Sequence, residues 1–365
     1  MSEPAAVIER ITASAFCIPT DAPEADGTLN WDHTTLVVAE VSAGGTSGLG
    51  YTYAGAQAAH LINDVLASLL VGADASAIGK AWERMFATVR NLGSRGICAN
   101  AISAVDAALW DLKARSLGRP LVDILGAARD AVPIYGSGGF TSYSREQLSE
   151  QLSRWVEADG CRWVKMKVGS APEQHPVRVK AARAAVGAAG LFVDANGAYA
   201  RKEALDCAER FAEFDVSWFE EPVSSDDLEG LRLIRDRAPA RMEIAAGEYG
   251  YEPFYFRRTL EAGAVDVIQA DATRCCGITG FLRAAALADA HAIPLSAHTA
   301  PALHLHVCCA APRLRHIEWF HDHVRIEHML FDGAPVPKEG MIRPDLSRPG
   351  HGLEFKRKDA ERFAA

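Results

Sequence analysis

The sequence predicts an α/β protein: a (β/α)8 barrel of the TIM type with a small α+β domain at its N-terminus. Three observations predict it. The chain has 365 residues, more than one ordinary compact domain and enough for a barrel of about 250 residues with a smaller partner. From residue 126 onward, eight short apolar runs alternate with amphipathic stretches, at steps of about 20 to 30 residues, the length of one βα unit. Almost every one of those runs ends on an ionisable residue.

The opening stretch reads as two or three strands in meander order: AVIERITASAF, TTLVVAEVSA and GLGYTY, the first two separated by the polar loop PTDAPEADGT. Helical spacing takes over near residue 56, in AAHLINDVLASLLVG and ISAVDAALWDLKARSLG, with Gly118 and Pro120 as stop signals. Residues 1–125 are therefore assigned to the α+β domain and 126–330 to the barrel. The eight runs are VPIYGSGGF, WVKMKVG, LFVDANG, VSWFEEP, EIAAGE, DVIQADA, IPLSAH and HIEWF. An open doubly wound sheet would more often carry a glycine-rich nucleotide loop after its first strand, and YGSGGF lacks that spacing. Residues 331–365, with the turn-rich KEGMIRPDLSRPGHG and then EFKRKDAERF, follow the eighth strand and are expected to pack back on the N-terminal domain.

Composition narrows the function classes. Hydrophobic residues make up 49% and charged residues 23%, so a large core can be buried. A net charge of −9 argues against nucleic-acid and anionic-membrane partners, while leaving room for a local basic pocket that binds a small anion. The eight cysteines nowhere form Cys-x-x-Cys, which argues against a disulfide framework or zinc ribbon. The N-terminal MSEPAAVIERITASAF lacks the pattern of a signal peptide, and no apolar run of about 20 residues appears. The expected compartment is the reducing cytoplasm.

The chemistry lies at the strand ends: Lys165 and Lys167, Asp194 and Asn196, Glu220 and Glu221, Glu248, Asp271, His298 and Glu318. A helix cap or solvated loop charge explains any one of them, but not seven in register at a single barrel mouth, where catalytic groups of such folds lie. Asp194, Glu220 and Glu248 are spaced 26 and 28 residues apart, as on three adjacent strands. Carboxylates brought that close must hold protons or bind a cation, and all-oxygen ligands with room for substrate and water suit magnesium. Asn196 and Glu221 are candidates to hydrogen-bond those ligands, and Asn196 to reach substrate.

Lys165 and Lys167 share a strand face, and their mutual repulsion is expected to lower a lysine pKa toward the range of a base. On the sixth and seventh strands Asp271 can fix the tautomer of His298 and stabilise its charged form. Glu318 is a candidate for a protonated carboxylic acid that hydrogen-bonds a developing oxyanion. Ser137, on the first barrel strand, either touches substrate or belongs to a packing turn. His304-x-His306 falls in a helix, where residues two apart do not share a face, which argues against zinc. In His321-Asp322-His323, after the eighth strand, His321 is a candidate substrate contact. A metal-dependent hydrolase would carry His-x-His on its first barrel strand, and VPIYGSGGF has none. The Cys275-Cys276 and Cys308-Cys309 pairs read as small buried apolar residues.

In VKMKVG, VDANG, WFEEP, AAGE, QADATRCCGITG, SAHTAPALH and HIEW, preceded by ISAVDAALWDLKARSLGRPL, the chain resembles the enolase superfamily in its mandelate racemase subgroup over nearly its whole length. The resemblance implies an α+β domain capping a modified barrel, magnesium on Asp194, Glu220 and Glu248, and bases Lys167 and His298 on opposite faces of a carboxylic acid substrate. It implies two substrate-reading loops near Pro19–His33 and Gly48–Gly55, which makes Trp31 and Tyr51 candidate contacts, and a homo-oligomer. Polar loops of this kind fit a polyhydroxylated acid. Dehydration of an aldonate or aldarate to a 2-keto-3-deoxy acid is the leading expectation. Racemisation, epimerisation and cycloisomerisation of an anhydro sugar acid are the alternatives. A non-catalytic binding protein would be missing some catalytic group, and the set is complete.

Overall fold

The computed structural model describes residues 6–365; the first residues of the N-terminal reading lie outside the described residues. Strands β1 (Ile8–Ala25), β2 (Asn30–Ala43) and β3 (Thr46–Tyr53) form an antiparallel meander. The segment expected as the polar loop PTDAPEADGT is instead largely strand. After a register irregularity between Pro19 and Glu24, pairing resumes with Glu24 opposite Trp31. The ribbon turns at Asp26, whose Oδ1 accepts from the backbone N–H groups of Thr28 and Leu29. Polar side chains are compatible with a two-stranded ribbon because its faces need not be fully buried.

The helix Ile97–Ser116 packs on this sheet and is buried on nearly all sides. Its close approach depends on Gly48 and Gly50, where an added Cβ would sit 2.1 Å from the carbonyl oxygens of Ala108 and Ala104. The same helix meets the barrel helix Gly277–Ala290, and Asp106 accepts from both Thr279 N and Oγ1, at 2.9 and 2.7 Å. Gly277 has φ +87°, and a Cβ there would lie 2.4 Å from Asp106 Oδ2. Gly277→Ala therefore combines backbone strain with a clash at the interdomain seam. It is expected to cost about 1–3 kcal/mol, read as a lower melting temperature; an unchanged melting curve would contradict this packing.

The barrel consists of β4 (Val132–Gly138), β5 (Trp163–Lys167), β6 (Gly190–Asp194), β7 (Val216–Glu220), β8 (Glu243–Ala246), β9 (Val267–Ala270), β10 (Leu295–Ala297) and β11 (Leu314–Phe320). All neighbours pair in parallel and β11 closes on β4. A helix follows each strand. Alternation along the strands builds the interior in layers. Tyr135, Phe192, Trp218, Ala245 and Val267 form an apolar floor, with Phe192 stacked on Trp218 at 5.0 Å. Two residues further along their strands stand Ser137, Asp194 and Glu220. Period two thus lifts each charged residue directly above an apolar one.

The C-terminal residues return to both domains. Met341–Ile342 pairs with the start of β4, Ala364 bridges to Phe16, and Ala365 N donates to Ala15 O at 3.0 Å. All eight cysteines are free and all but Cys17 are buried. Among the described residues, no helix is long and apolar enough to cross a membrane.

Candidate active site

Above the apolar floor, Asp194, Glu220 and Glu248 each offer a carboxylate oxygen, and these three atoms lie within 4.8 Å of one another. All three side chains are buried. Lys165, fully buried, sits beneath them, with Nζ 2.5 Å from Glu220 Oε1, 2.8 Å from Glu318 Oε1 and 3.3 Å from Asp194 Oδ2. Lys167 Nζ donates to Asp194 Oδ2 at 2.6 Å. On the far side of the trio, His298 Nε2 lies 3.4 Å from Glu248 Oε2, while its Nδ1 is 2.9 Å from Asp271 Oδ2. That second contact favours the tautomer with the proton on Nδ1, leaving Nε2 toward the trio.

The backbone is bent sharply where these groups emerge. Asn196, Glu221, Thr299 and Ala300 all adopt left-handed conformations just beyond strand ends. Non-glycine residues rarely do so, and such strain persists only where surrounding structure enforces it. Here it aims backbone donors at the carboxylates: Asn196 N donates to Asp194 Oδ1 at 2.9 Å, and Thr299 N to Glu318 Oε2 at 3.0 Å.

Electrostatics corrects two expectations. Burial and mutual repulsion work against the charged lysines, but Glu220, Glu318 and Asp194 outweigh this for Lys165, and Asp194 does so for Lys167. Both lysines are held above their ordinary range instead of below it. Glu318 was expected as a protonated acid. Burial favours that form, yet Lys165, His298 and Lys167 hold the carboxyl below its usual range, so it is ionised. Glu220 goes the other way: burial and the Asp194 charge outweigh Lys165 and raise it well above normal. Glu221 is raised by burial and by Glu248. The cluster thus carries more carboxylate than its lysines neutralise. Glu248 Oε2 is buried with no hydrogen-bond partner. An all-oxygen donor set with an orphaned oxygen fits a hard divalent cation.

The site opens into a cavity of about 350 Å3 between cap and barrel. Of the expected contacts, Asn196 and Trp31 line it, together with Lys167, Glu248, His298 and Glu318. Three others do not. Tyr51 is fully buried and donates to Glu327 Oε1 at 2.6 Å. Ser137 lies below the mouth, where its hydroxyl donates to Glu318 Oε1 at 2.5 Å. His321 faces a different cavity and pairs with Asp21. In their places stand Tyr53, which lies in the second expected loop and stacks on His323 at 3.5 Å, and three residues that sequence reasoning missed, Tyr249, Arg274 and Thr299. His321 and His323 separate because the helix begins at His321, and residues two apart on a helix diverge. Arg274 follows Asp271 on the loop after β9 and reaches Glu248 Oε1 at 3.4 Å.

His304 Nε2 accepts from Ala272 N at 2.7 Å while Nδ1 lies 2.9 Å from Ala300 O, and His306 Nδ1 accepts from Val122 N at 3.1 Å. Both imidazoles are buried hydrogen-bonding struts. Glu327, which accepts from Tyr51 and Ala302 N, is pushed by burial from 4.5 up to about 8. The folded chain then holds this proton where the unfolded chain has released it, so stability falls as pH rises between those values. Melting temperature is expected to drop from pH 6 to 9 less steeply in Glu327→Gln than in the wild type; identical slopes would contradict the assignment.

Two family models match the chain. Residues 15–126 match the mandelate racemase / muconate lactonizing enzyme N-terminal domain, and residues 147–360 the enolase C-terminal domain-like model. A mandelate racemase/muconate lactonizing enzyme-like protein from Rubrobacter xylanophilus is 52% identical and superposes with a TM-score of 0.96, covering 98% of this chain and 100% of its own. The 3,6-anhydro-alpha-L-galactonate cycloisomerase of Streptomyces coelicolor is 33% identical across 96% of this chain and 98% of its own. The L-talarate/galactarate dehydratase of Salmonella typhimurium is 32% identical across 89% of this chain and 85% of its own. A crystal structure of a mutant of that dehydratase with magnesium and L-glucarate superposes with a TM-score of 0.90 at 28% identity, covering 100% of this chain and 93% of its own. The chain is a member of the mandelate racemase/muconate lactonizing enzyme family, within the enolase superfamily.

Proposed function

We propose that the protein is a magnesium-dependent sugar-acid dehydratase, which removes the proton next to a substrate carboxylate and expels the β-hydroxyl to give a 2-keto-3-deoxy acid. The observation that carries this reading is that two proton-transfer groups flank one carboxylate trio. Lys167 stands at the Asp194 end and the His298–Asp271 pair at the Glu248 end, all at the mouth of one cavity.

Asp194, Glu220 and Glu248 would hold magnesium, which when bound would supply positive charge to polarise a substrate carboxylate and to offset the Asp194 charge that raises Lys167. Lys167 takes the α-proton. His298, protonated, delivers a proton to the departing β-hydroxyl, and Asp271 stabilises the imidazolium and fixes its orientation. Lys165 acts from below, tying Glu220, Glu318 and Asp194 into one geometry. Asp26, His33, Thr34, Thr35 and Tyr249 give the cavity polar walls suited to a polyhydroxylated chain.

The full-length similarity to a cycloisomerase favours a second reading, in which the same proton is removed from an anhydro sugar acid and no water is lost. Mass spectrometry of a library of monoacid, diacid and anhydro sugars, incubated with the protein and magnesium, separates the two. Loss of one water from an open-chain acid supports the dehydratase. A product isomeric with an anhydro acid supports the cycloisomerase, and no turnover of any member would sink both.

A further inference from the structure

A second group of metal-type ligands lies outside the site described. Asp21 and Glu24 on β1 and His321 at the start of the last barrel helix each offer one donor atom, all within 4.8 Å of one another. His321 Nε2 lies 2.9 and 3.1 Å from the two oxygens of Asp21. A simple ion pair would account for that contact, but not for Glu24. This carboxyl is only 1% exposed, and one oxygen, Oε2, accepts from Trp31 Nε1 at 2.8 Å while Oε1 has no hydrogen-bond partner. Asp322 adds a further fully buried carboxylate, whose Oδ1 is taken by Arg325 and whose Oδ2 is also unpartnered. Three carboxylates meet here with one arginine and one imidazole, and burying an unpaired carboxylate oxygen is costly.

We propose that Asp21, Glu24 and His321 form a second divalent-cation site, which ties the β1–β2 ribbon of the cap to the barrel beside the mouth. Two carboxylates and an imidazole suit a first-row transition ion of the Mn2+ class better than an all-oxygen Mg2+ site. Access comes from the solvent side, because Asp21 and His321 line an outer cavity that Glu248 and Lys167 do not share. Trp31 and Phe320 line the substrate cavity and both pack edge-on against Phe140. A cation on Glu24 reaches the active site through Trp31, since Glu24 holds its indole. The bound ion thus fixes one wall of the substrate pocket without taking part in proton transfer.

The test uses the full chain, freed of metal by a chelator and titrated with MnCl2 while free Mn2+ is followed by electron paramagnetic resonance. Wild type is expected to bind two Mn2+ per chain, and His321→Ala and Asp21→Asn one each. Both replaced side chains reach solvent, so their loss leaves the core intact. Glu220→Gln, which disables the catalytic trio, is expected to retain an ion that disappears when His321→Ala is added, so the two sites are read independently. A single Mn2+ in the wild type, or two retained in either His321→Ala or Asp21→Asn, would overturn the proposal.

Discussion

Replacing Lys167 with alanine is expected to lower kcat on the sugar-acid substrate by about 10²–10⁴-fold, the range that a positioned acid or base contributes, with KM little changed. The ammonium sits at the edge of the cavity, 6% exposed, and touches Asp194 Oδ2. Its removal takes away the proton-transfer group but leaves the three carboxylates and the other lining residues of the cavity. His298→Asn should cause a loss of similar size for the complementary reason. With His298 intact, Lys167→Ala retains a proton-transfer group on one flank only. Equal turnover by Lys167→Ala and wild type would rule out Lys167 as the base.

Glu220→Gln has the second large effect. The substitution keeps the shape, and its amide oxygen can still accept from Trp218 Nε1, which donates to Glu220 Oε2 at 2.9 Å. It removes one of three charges from the cation site and the shortest of the three carboxylate contacts of Lys165. Activity should fall below detection and magnesium affinity should drop, measured by calorimetry. Stability should fall by less than the about 3–5 kcal/mol of a wholly unpaired buried charge, because Glu318 and Asp194 still hold Lys165. Unchanged magnesium binding would contradict the assignment of the trio.

Much of this arrangement was legible in the strand ends. Two-residue alternation alone places Asp194 above Phe192 and Glu220 above Trp218, and it directs both into the barrel. What the alternation does not encode is how many charges meet. Lys165 and Lys167 looked like a pair that repels itself, yet the balance is set by Glu220, Glu318 and Asp194 arriving from three other strands. For the same reason Glu318 is held below its usual range, since Lys165 Nζ lies 2.8 Å from its Oε1. The cap was harder to read. Tyr51 and Tyr53 share a strand face, yet Tyr51 is tied to Glu327 while Tyr53 stacks on His323 and lines the cavity, partners that arrive from a distant helix. The ribbon through Pro19–Ala25 was hidden because its polar residues satisfy a two-stranded edge as well as a loop.

Proton nuclear magnetic resonance of the wild-type protein with magnesium and acid sugars in deuterated water follows the proposed α-proton abstraction itself. The α-proton of one acid sugar is expected to be lost while a 2-keto-3-deoxy product accumulates, carrying solvent deuterium at the new methylene carbon. Retention of every α-proton across sugars that bind would contradict it.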